Sequence, residues 1–455
     1  MSSKFRAIAL GVVLCVSGTA QSSAQTLTDT LVEAYKTSQL LEQNRALLRV
    51  ADEDVAVAVS RLRPVLDYIA NYTWSDGNVF TSDSGEIGVV ASWLIFDNGR
   101  TRLEIEATKE LVLATREALR SIEQDVLQSG VQAFLQMRLA LDTVDLSRNN
   151  VLVISEQLRA ARDRFEVGEG TSTDVAQAEA RLAEANSNLS LSLGNLAAAR
   201  EFYRAVTGAF PGEIASIPQP PEIPASVEEA AAIGVAGHPS ILEAQRQVRA
   251  SELAAASAQR AVLPTVSVQA GVSREFREDL DDFNSSSIGI GLQGPIYQGG
   301  ALSAQYRQAL ASTESSRAAL NQSVIVVRRE VGVEWANVQV ARAVIDASQE
   351  AVEANEIAFE GVQEQQRVGE RTTLDVLDAE QELLDSRTTL VSADVQAVQS
   401  VYDLLRSMGL LTVDFLGVPV PTYDPTLYYN AVKDAPATST QGARLDRVLE
   451  SLNRQ

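Results

Sequence analysis

Residues able to do covalent or acid–base chemistry are few in this chain and badly placed for it. Among 455 residues there is one cysteine and one histidine. Cys15 lies in an apolar amino-terminal stretch, so a form processed after residue 24 has no thiol for a disulfide, a nucleophile or a metal site. His238 directly precedes Pro239 and reads as a helix-terminus residue. A histidine-dependent triad would have to use it, and no phosphate loop or metal-ligand cluster is written anywhere. What remains is carboxylate: 60 Asp and Glu against 38 Lys and Arg, a formal net charge of −22. No acid pair comes with a pocket. Asp174 and Asp375 instead stand where they cap returning helices. Neither an enzyme nor a cofactor is expected.

The elements carrying those two aspartates are written twice. Phe165-Glu-Val-Gly-Glu-Gly-Thr-Ser-Thr-Asp174-Val175 returns about 200 residues later as Gln366-Arg-Val-Gly-Glu-Arg-Thr-Thr-Leu-Asp375-Val376. Ser92-Trp-Leu-Ile-Phe-Asp-Asn-Gly99 returns as Gln293-Gly-Pro-Ile-Tyr-Gln-Gly-Gly300, Pro64 as Pro264, and Phe134 as Trp335. Gly168 and Gly369 serve the tight turn of each copy. The chain is an internal duplication.

Residues 1–24 read as a secretory signal, with Lys4 and Arg6, an apolar run from Ala7 to Val16, and the small residues Ser22-Ser23-Ala24 before the cut. Leu14 before Cys15 argues against a lipid anchor. Losing this segment makes the remainder more acidic still, which disfavours nucleic acid as a partner. No later segment is apolar and long enough for a membrane helix, so a membrane crossing has to be made of strands.

The first repeat, 25–210, starts with a helix from Thr28 to Arg63, stopped by Pro64. A hairpin over 65–96 follows, with Leu66, Tyr68, Ala70, Tyr72, Trp74 and then Ile87, Val89, Ala91, Trp93, Ile95 on one face. Asp67, Asn71, Thr73 and Ser75 take the other, and Asp76 to Gly85 reads as a polar turn. A long helix over 100–165 and a shorter one over 174–206 complete the unit. A Pro-rich linker, 211–225, leads to the second repeat, 226–410. Its parts are a helix over 226–263, a hairpin over 265–294 with a charged loop from Arg274 to Ser287, a long helix over 301–367 and a helix over 375–408. The tail, 411–455, either wraps the outside or stays disordered. The long helices are rods of roughly 100 Å at ~1.5 Å per residue, each lying along a stacked pair of shorter helices in coiled-coil fashion.

Strands of about nine to eleven residues suit a tilted bilayer crossing, but four strands cannot close a barrel, for which about eight is the minimum. Open edges in hydrocarbon would leave backbone groups unpaired. Three chains pooling four strands each give twelve, enough for a water-filled lumen lined by the polar faces. Tyr68, Tyr72, Trp74 and Trp93 would then face lipid.

The turn Val368-Gly369-Glu370-Arg371-Thr372-Thr373-Leu374-Asp375-Val376-Leu377-Asp378-Ala379 resembles the second helical turn of the TolC family of outer-membrane ducts. Tyr297-Gln-Gly-Gly300 and Asp97-Asn-Gly99 resemble its strand-to-helix junctions. With the duplication, the likeness covers about residues 27–410. It implies an α+β membrane protein: a homotrimeric twelve-stranded β-barrel in the outer membrane, continued by an α-helical barrel in the periplasm that closes like an iris. It also implies that Asp375 and Asp378 ring the constriction, with mutual repulsion raising some of their pKa values. Arg371 is then the basic gate residue, with Thr173 and Asp174 of the first-half turn as its partners. Where the family often has tyrosine, this chain has Gln366, which can still bond Asp174. The tail Val418-Pro-Val-Pro-Thr-Tyr-Asp-Pro-Thr-Leu-Tyr-Tyr resembles tails of members serving type I secretion. The expected function is a passive exit duct for protein secretion or drug efflux. Its partners are a periplasmic adaptor, an inner-membrane ABC or RND transporter and the lipid around it. The rival from another class is a secreted coiled-coil scaffold or adhesin without a pore.

Overall fold

A computed structural model describes residues 24–76, 81–277 and 280–436, with 443, 444 and 447 beyond. The expected signal segment, Ala24 apart, and most of the far tail lie outside the described residues.

The amino-terminal helix is two helices, not one: α1 (Leu27–Thr37) and α2 (Gln39–Ser60). Ser38 breaks them because its hydroxyl accepts from Leu41 N–H at 3.3 Å, an N-cap that the backbone adopts in extended geometry. α3 (Arg100–Glu166) and α4 (Ser172–Thr207) follow the first hairpin. The second half repeats the break: α5 (Val227–Gly237) ends at His238, and α6 (Pro239–Arg260) opens on a proline that forces the preceding residue out of helical geometry. α7 (Ala301–Arg367) and α8 (Thr373–Ser407) close the repeat, then α9 (Val413–Leu416) and α10 (Pro425–Val432) form the tail. Among the described residues, no helix is long and apolar enough to cross a membrane.

α3 and α7 each run 67 residues, roughly 100 Å at ~1.5 Å per residue. Beside α3, the α1–α2 pair and α4 form a stack, and Thr37 Oγ1 at the end of α1 donates to Val206 O at 3.3 Å where α1 meets α4. The second stack joins where Gly409 passes so close to His238 that a Cβ would come within 2.9 Å of its Cα. The main core lies at this waist, with Leu127, Phe134, Leu135 and Met137 of α3 packed among Leu41, Ile241, Leu404 and Met408.

The strands form one antiparallel sheet in the order β1 (Val65–Asp76), β2 (Thr81–Phe96), β3 (Thr265–Arg277), β4 (Leu280–Gln293). Register joins the two hairpins directly, and Leu66, Ala91, Ala270 and Ile288 fall in one row, with Tyr68, Val89 and Val272 in the next. All four strands therefore put most of their apolar residues on a single face, with Ile69, Val90 and Leu94 on the other. Their ladders also run beyond the expected turn and loop, through Tyr72↔Gly85 and Arg274↔Asn284. The strands are 12 to 16 residues long, longer than a bilayer crossing needs.

The tail folds onto the outside of α2 and α3. Tyr428 Oη donates to Glu53 Oε1 at 2.7 Å, the Arg45 guanidinium lies between the rings of Tyr423 and Tyr35, and Arg63 donates to the carbonyls of Asp434 and Ala435.

Candidate gate at the helical tip

Both tip turns are built on the same backbone plan. Gly168 and Gly369 adopt φ +82°, the left-handed geometry that ends a helix. Glu169 N–H reaches back to Arg164 O and Glu370 N–H to Gln365 O, each at 2.9 Å. Nothing lies within 4 Å of where a Cβ would sit on either glycine. Glycine is there for backbone sign, not for space.

The returning helices begin in matched capping boxes. Asp174 Oδ2 accepts from Thr171 N–H and Oγ1, and Thr171 Oγ1 accepts from Asp174 N–H; Thr372 and Asp375 repeat the arrangement. Bonds from the Thr372 amide and hydroxyl hold the Asp375 carboxyl below the usual carboxylate range, with Arg371 adding a weaker attraction at 3.9 Å. Within one protomer the direction is thus opposite to that expected from clustered carboxylates.

The other site residues have partners that the sequence did not announce. Asp378 Oδ1 accepts from Arg181 Nη2 at 2.7 Å, tying α8 to α4 across the two hairpins, and Arg181 also holds Glu184. Beside this pair Leu377 is buried in the first-half hairpin, against Ile154, Leu158, Ala161 and Ala178. Gln366 is buried, donating to Thr373 Oγ1 at 3.3 Å and accepting from Arg164 Nη2 at 3.4 Å, so its partner in this chain is Arg164 rather than Asp174. Arg371 Nε donates to Gln365 Oε1 at 3.1 Å, bracing its own turn. Thr173 lies exposed on the first turn of α4. A polar cleft of about 440 Å³ separates the two turns, lined by Arg164, Asp174, Gln366, Arg371 and Thr372. The duplication holds the signal for the missed residues: Leu377 stands where the first half has Ala176, and Arg181 where the second half has Glu382.

At the other end of the rods, Tyr68, Tyr72, Trp74 and Trp93 are all exposed on the apolar face, Tyr68 at 87%. Trp93 Nε1 donates to Leu62 O at 2.9 Å at the base of the sheet. His238 caps α6, accepting from Ser240 N–H at 3.2 Å, and burial lowers its pKa, as suits a neutral structural imidazole. No group of three metal-ligating residues occurs among the described residues.

A family model described as outer membrane efflux protein matches residues 30–209 and 235–410, one match per repeat. The outer membrane efflux protein BepC of Brucella suis biovar 1 is 36% identical over 417 residues, covering 90% of this chain and 91% of that protein. The outer membrane protein TolC of Escherichia coli K12 is 24% identical over 452 residues, covering 93% and 90%. Among solved structures, the outer membrane channel CmeC of Campylobacter jejuni shares the fold, with a TM-score of 0.75 at 17% identity over 91% of this chain and 90% of that one. Duplicated halves, a one-sided four-stranded sheet and paired capped tips accord with these matches, and the chain belongs to the outer membrane efflux protein family.

Proposed function

We propose that three copies of this chain form one exit duct, a twelve-stranded barrel in the outer membrane above a helical barrel that crosses the periplasm and closes at its tips. The observation that carries this reading is a single sheet with one continuous apolar face exposed and, among the described residues, with β1 and β4 each paired on one side only. Such edges are tolerated in hydrocarbon only when another chain pairs them. The helices point the same way. α3 packs on α2 and α4 at one flank and on α6 and α8 at the other, whereas α7 leaves Ile325, Val333, Val340 and Ile357 exposed. Leu40, Leu47, Val50 and Val57 make a matching exposed stripe on α2 at heptad-like spacing, ready for the neighbour's α7.

Residues 1–24 direct secretion and are removed, and 211–225 link the repeats. At the inner end Asp375 and Asp378 from three chains border the mouth. In each chain Asp378 is half-neutralised by Arg181, so Asp375 carries most of the attraction for cations. Arg371 reaches from its own turn toward Thr173 and Asp174 of the neighbouring chain, and Gln366 with Arg164 braces the cleft between the turns. The duct is passive. An inner-membrane transporter, ABC or RND, supplies energy through a periplasmic adaptor seated on the tips. Docking of the tail on α2 gives it a structural role, and its likeness to the tails of secretion members leaves protein cargo as one reading of the duct. Efflux is the reading BepC's name favours.

The test is purification from outer membranes, followed by gel migration with and without heating and by single-channel recording in planar bilayers. A heat-sensitive trimer that conducts is expected. A water-soluble monomer without conductance overturns the duct and returns the scaffold reading.

A further inference from the structure

Near the tip the two hairpins of one chain share an apolar cluster, and among the described residues a single second-half side chain enters it. Leu377, on the second turn of α8, is 1% exposed within one protomer. It sits among Ile154, Leu158 and Ala161 of α3 and Ala178 of α4, with Val175 and Leu182 of α4 at the margin. The duplication supplies no reciprocal contact: the matching first-half residue, Ala176, is exposed. At ~100° per residue, Asp375 stands nearly opposite Leu377 around α8 and Asp378 about a quarter turn from it. The seat of the leucine therefore fixes where both carboxylates point.

The polar links beside it are of another kind. Arg181 meets Asp378 at 2.7 Å with both side chains in reach of water, and Arg164 meets Gln366 at 3.4 Å. When the hairpins part, water takes the place of the lost partner in the Arg181–Asp378 pair, so parting costs that pair little. Nothing replaces the contacts of Leu377, because parting carries it and the walls of its socket, Ile154 and Leu158, into water. We propose that Leu377 is the latch of the gate, seated in the first-half hairpin while the tip is shut and withdrawn when it opens. Burial inside one protomer makes the latch independent of the neighbouring chains, so each chain's tip shuts through its own leucine. Salt screens an ion pair open to solvent but does not loosen an apolar contact, and ionic strength therefore separates the two kinds of link. The latch rests on the reading of this tip as the mouth of a duct.

The test is single-channel recording of the detergent-purified full chain in planar bilayers, conductance being divided by that of the KCl bath at about 0.1 M and about 1 M. Wild type is expected to give a quotient no higher at the greater strength. Leu377→Ala is expected to raise it about threefold, more than Arg181→Ser does, with heat-sensitive trimer migration unchanged. Ala178→Leu, which fills the socket from α4, is expected to raise it likewise and takes over the test if the first variant does not assemble. Leu383→Ala removes a buried leucine of α8 outside the cluster and is expected to match wild type. An assembled Leu377→Ala or Ala178→Leu trimer with the wild-type quotient overturns the latch, as does an equal rise from Leu383→Ala. A wild-type quotient that climbs with salt to the Leu377→Ala value overturns it as well. Wild type that is monomeric or does not conduct sinks the duct, and the latch falls with it.

Discussion

Asp52 offers the sharpest test of how the tail is held. It is fully buried on α2, between Leu48 and Val55 and facing α3, and neither carboxylate oxygen has a hydrogen-bond partner. Tyr423 and Tyr429 of the tail pack against the same cluster. Burial pushes its pKa from 3.8 to about 6, with Arg116 opposing and Glu53 adding to the rise. Each tenfold change in proton affinity is worth about 1.4 kcal/mol, so ionised Asp52 costs the packed state up to about 3 kcal/mol. The packed state binds the proton more tightly than an opened one. Its penalty is therefore fully present above about pH 6, shrinks as pH falls, and is gone below the ordinary value of 3.8.

Asp52→Asn removes the titration while keeping the shape. The amide's own desolvation does not vary with pH, so the pH dependence isolates the carboxylate. Protection of α10 amides against hydrogen exchange, variant over wild type, should be largest near pH 8 and fall about thirtyfold by pH 4.5. Arg45, Tyr423 and Tyr428 also face this region, and their pKa values are all raised, away from that range. A variant-to-wild-type ratio that does not move with pH would show that opening the tail leaves Asp52 where it is, and the strap account would be wrong.

Other expectations follow from the tip. Arg181→Ser should raise single-channel conductance by freeing α8 from α4, with a modest effect because an exposed pair is worth about 0.2–1 kcal/mol; exchanging Arg181 and Asp378 should restore the parent value. Gly369→Ala places a Cβ at φ +82° and should destabilise the second turn by about 1–2 kcal/mol, read as lost amide protection at Glu370. Asp375→Asn should weaken block by multivalent cations more than Asp378→Asn does, since Arg181 already offsets Asp378; equal effects would refute that division. Because its cap holds Asp375 below the ordinary range, the cap's contribution persists in mild acid and fades only as pH falls through that lowered value, which wild-type protection of α8's first turn measures.

How far these features could be read beforehand depended on whether their causes were local. Alternation of Val266, Val268, Ala270 and Val272 comes from facing two media, so the hairpins were visible. Their outer extensions carry charged and polar residues in place of that alternation, which is why Arg274 to Ser287 reads as loop. The break at Ser38 is hidden by apolar spacing that continues through it, and only the capping side chain gives it away; at His238 the following proline marks the helix terminus. Tyr428 meets Glu53 across 375 residues of chain, and Arg181 meets Asp378 across 197. No periodicity reports such a distance.

One asymmetry ties the fold to the proposed assembly. At the first strand-to-helix junction a Cβ on Gly99 would sit 2.7 Å from Arg260 Nη1, and Arg260 also donates to Asn98 O at 2.9 Å. At the duplicated junction nothing lies within 4 Å of the same point on Gly299 or Gly300. Tyr297 and Ile296 there are exposed as well. Duplication gave both junctions the same backbone, with left-handed glycines at Gly99 and Gly300, so the difference is one of neighbours. The first half has the end of α6 beside it; the second half has no such helix end beside it among the described residues. In the proposed trimer the end of α2 from the next chain takes the place that α6 takes within the chain. An open second junction in an otherwise packed duplicate is therefore what a ring of six half-units leaves behind when one chain supplies only two of them.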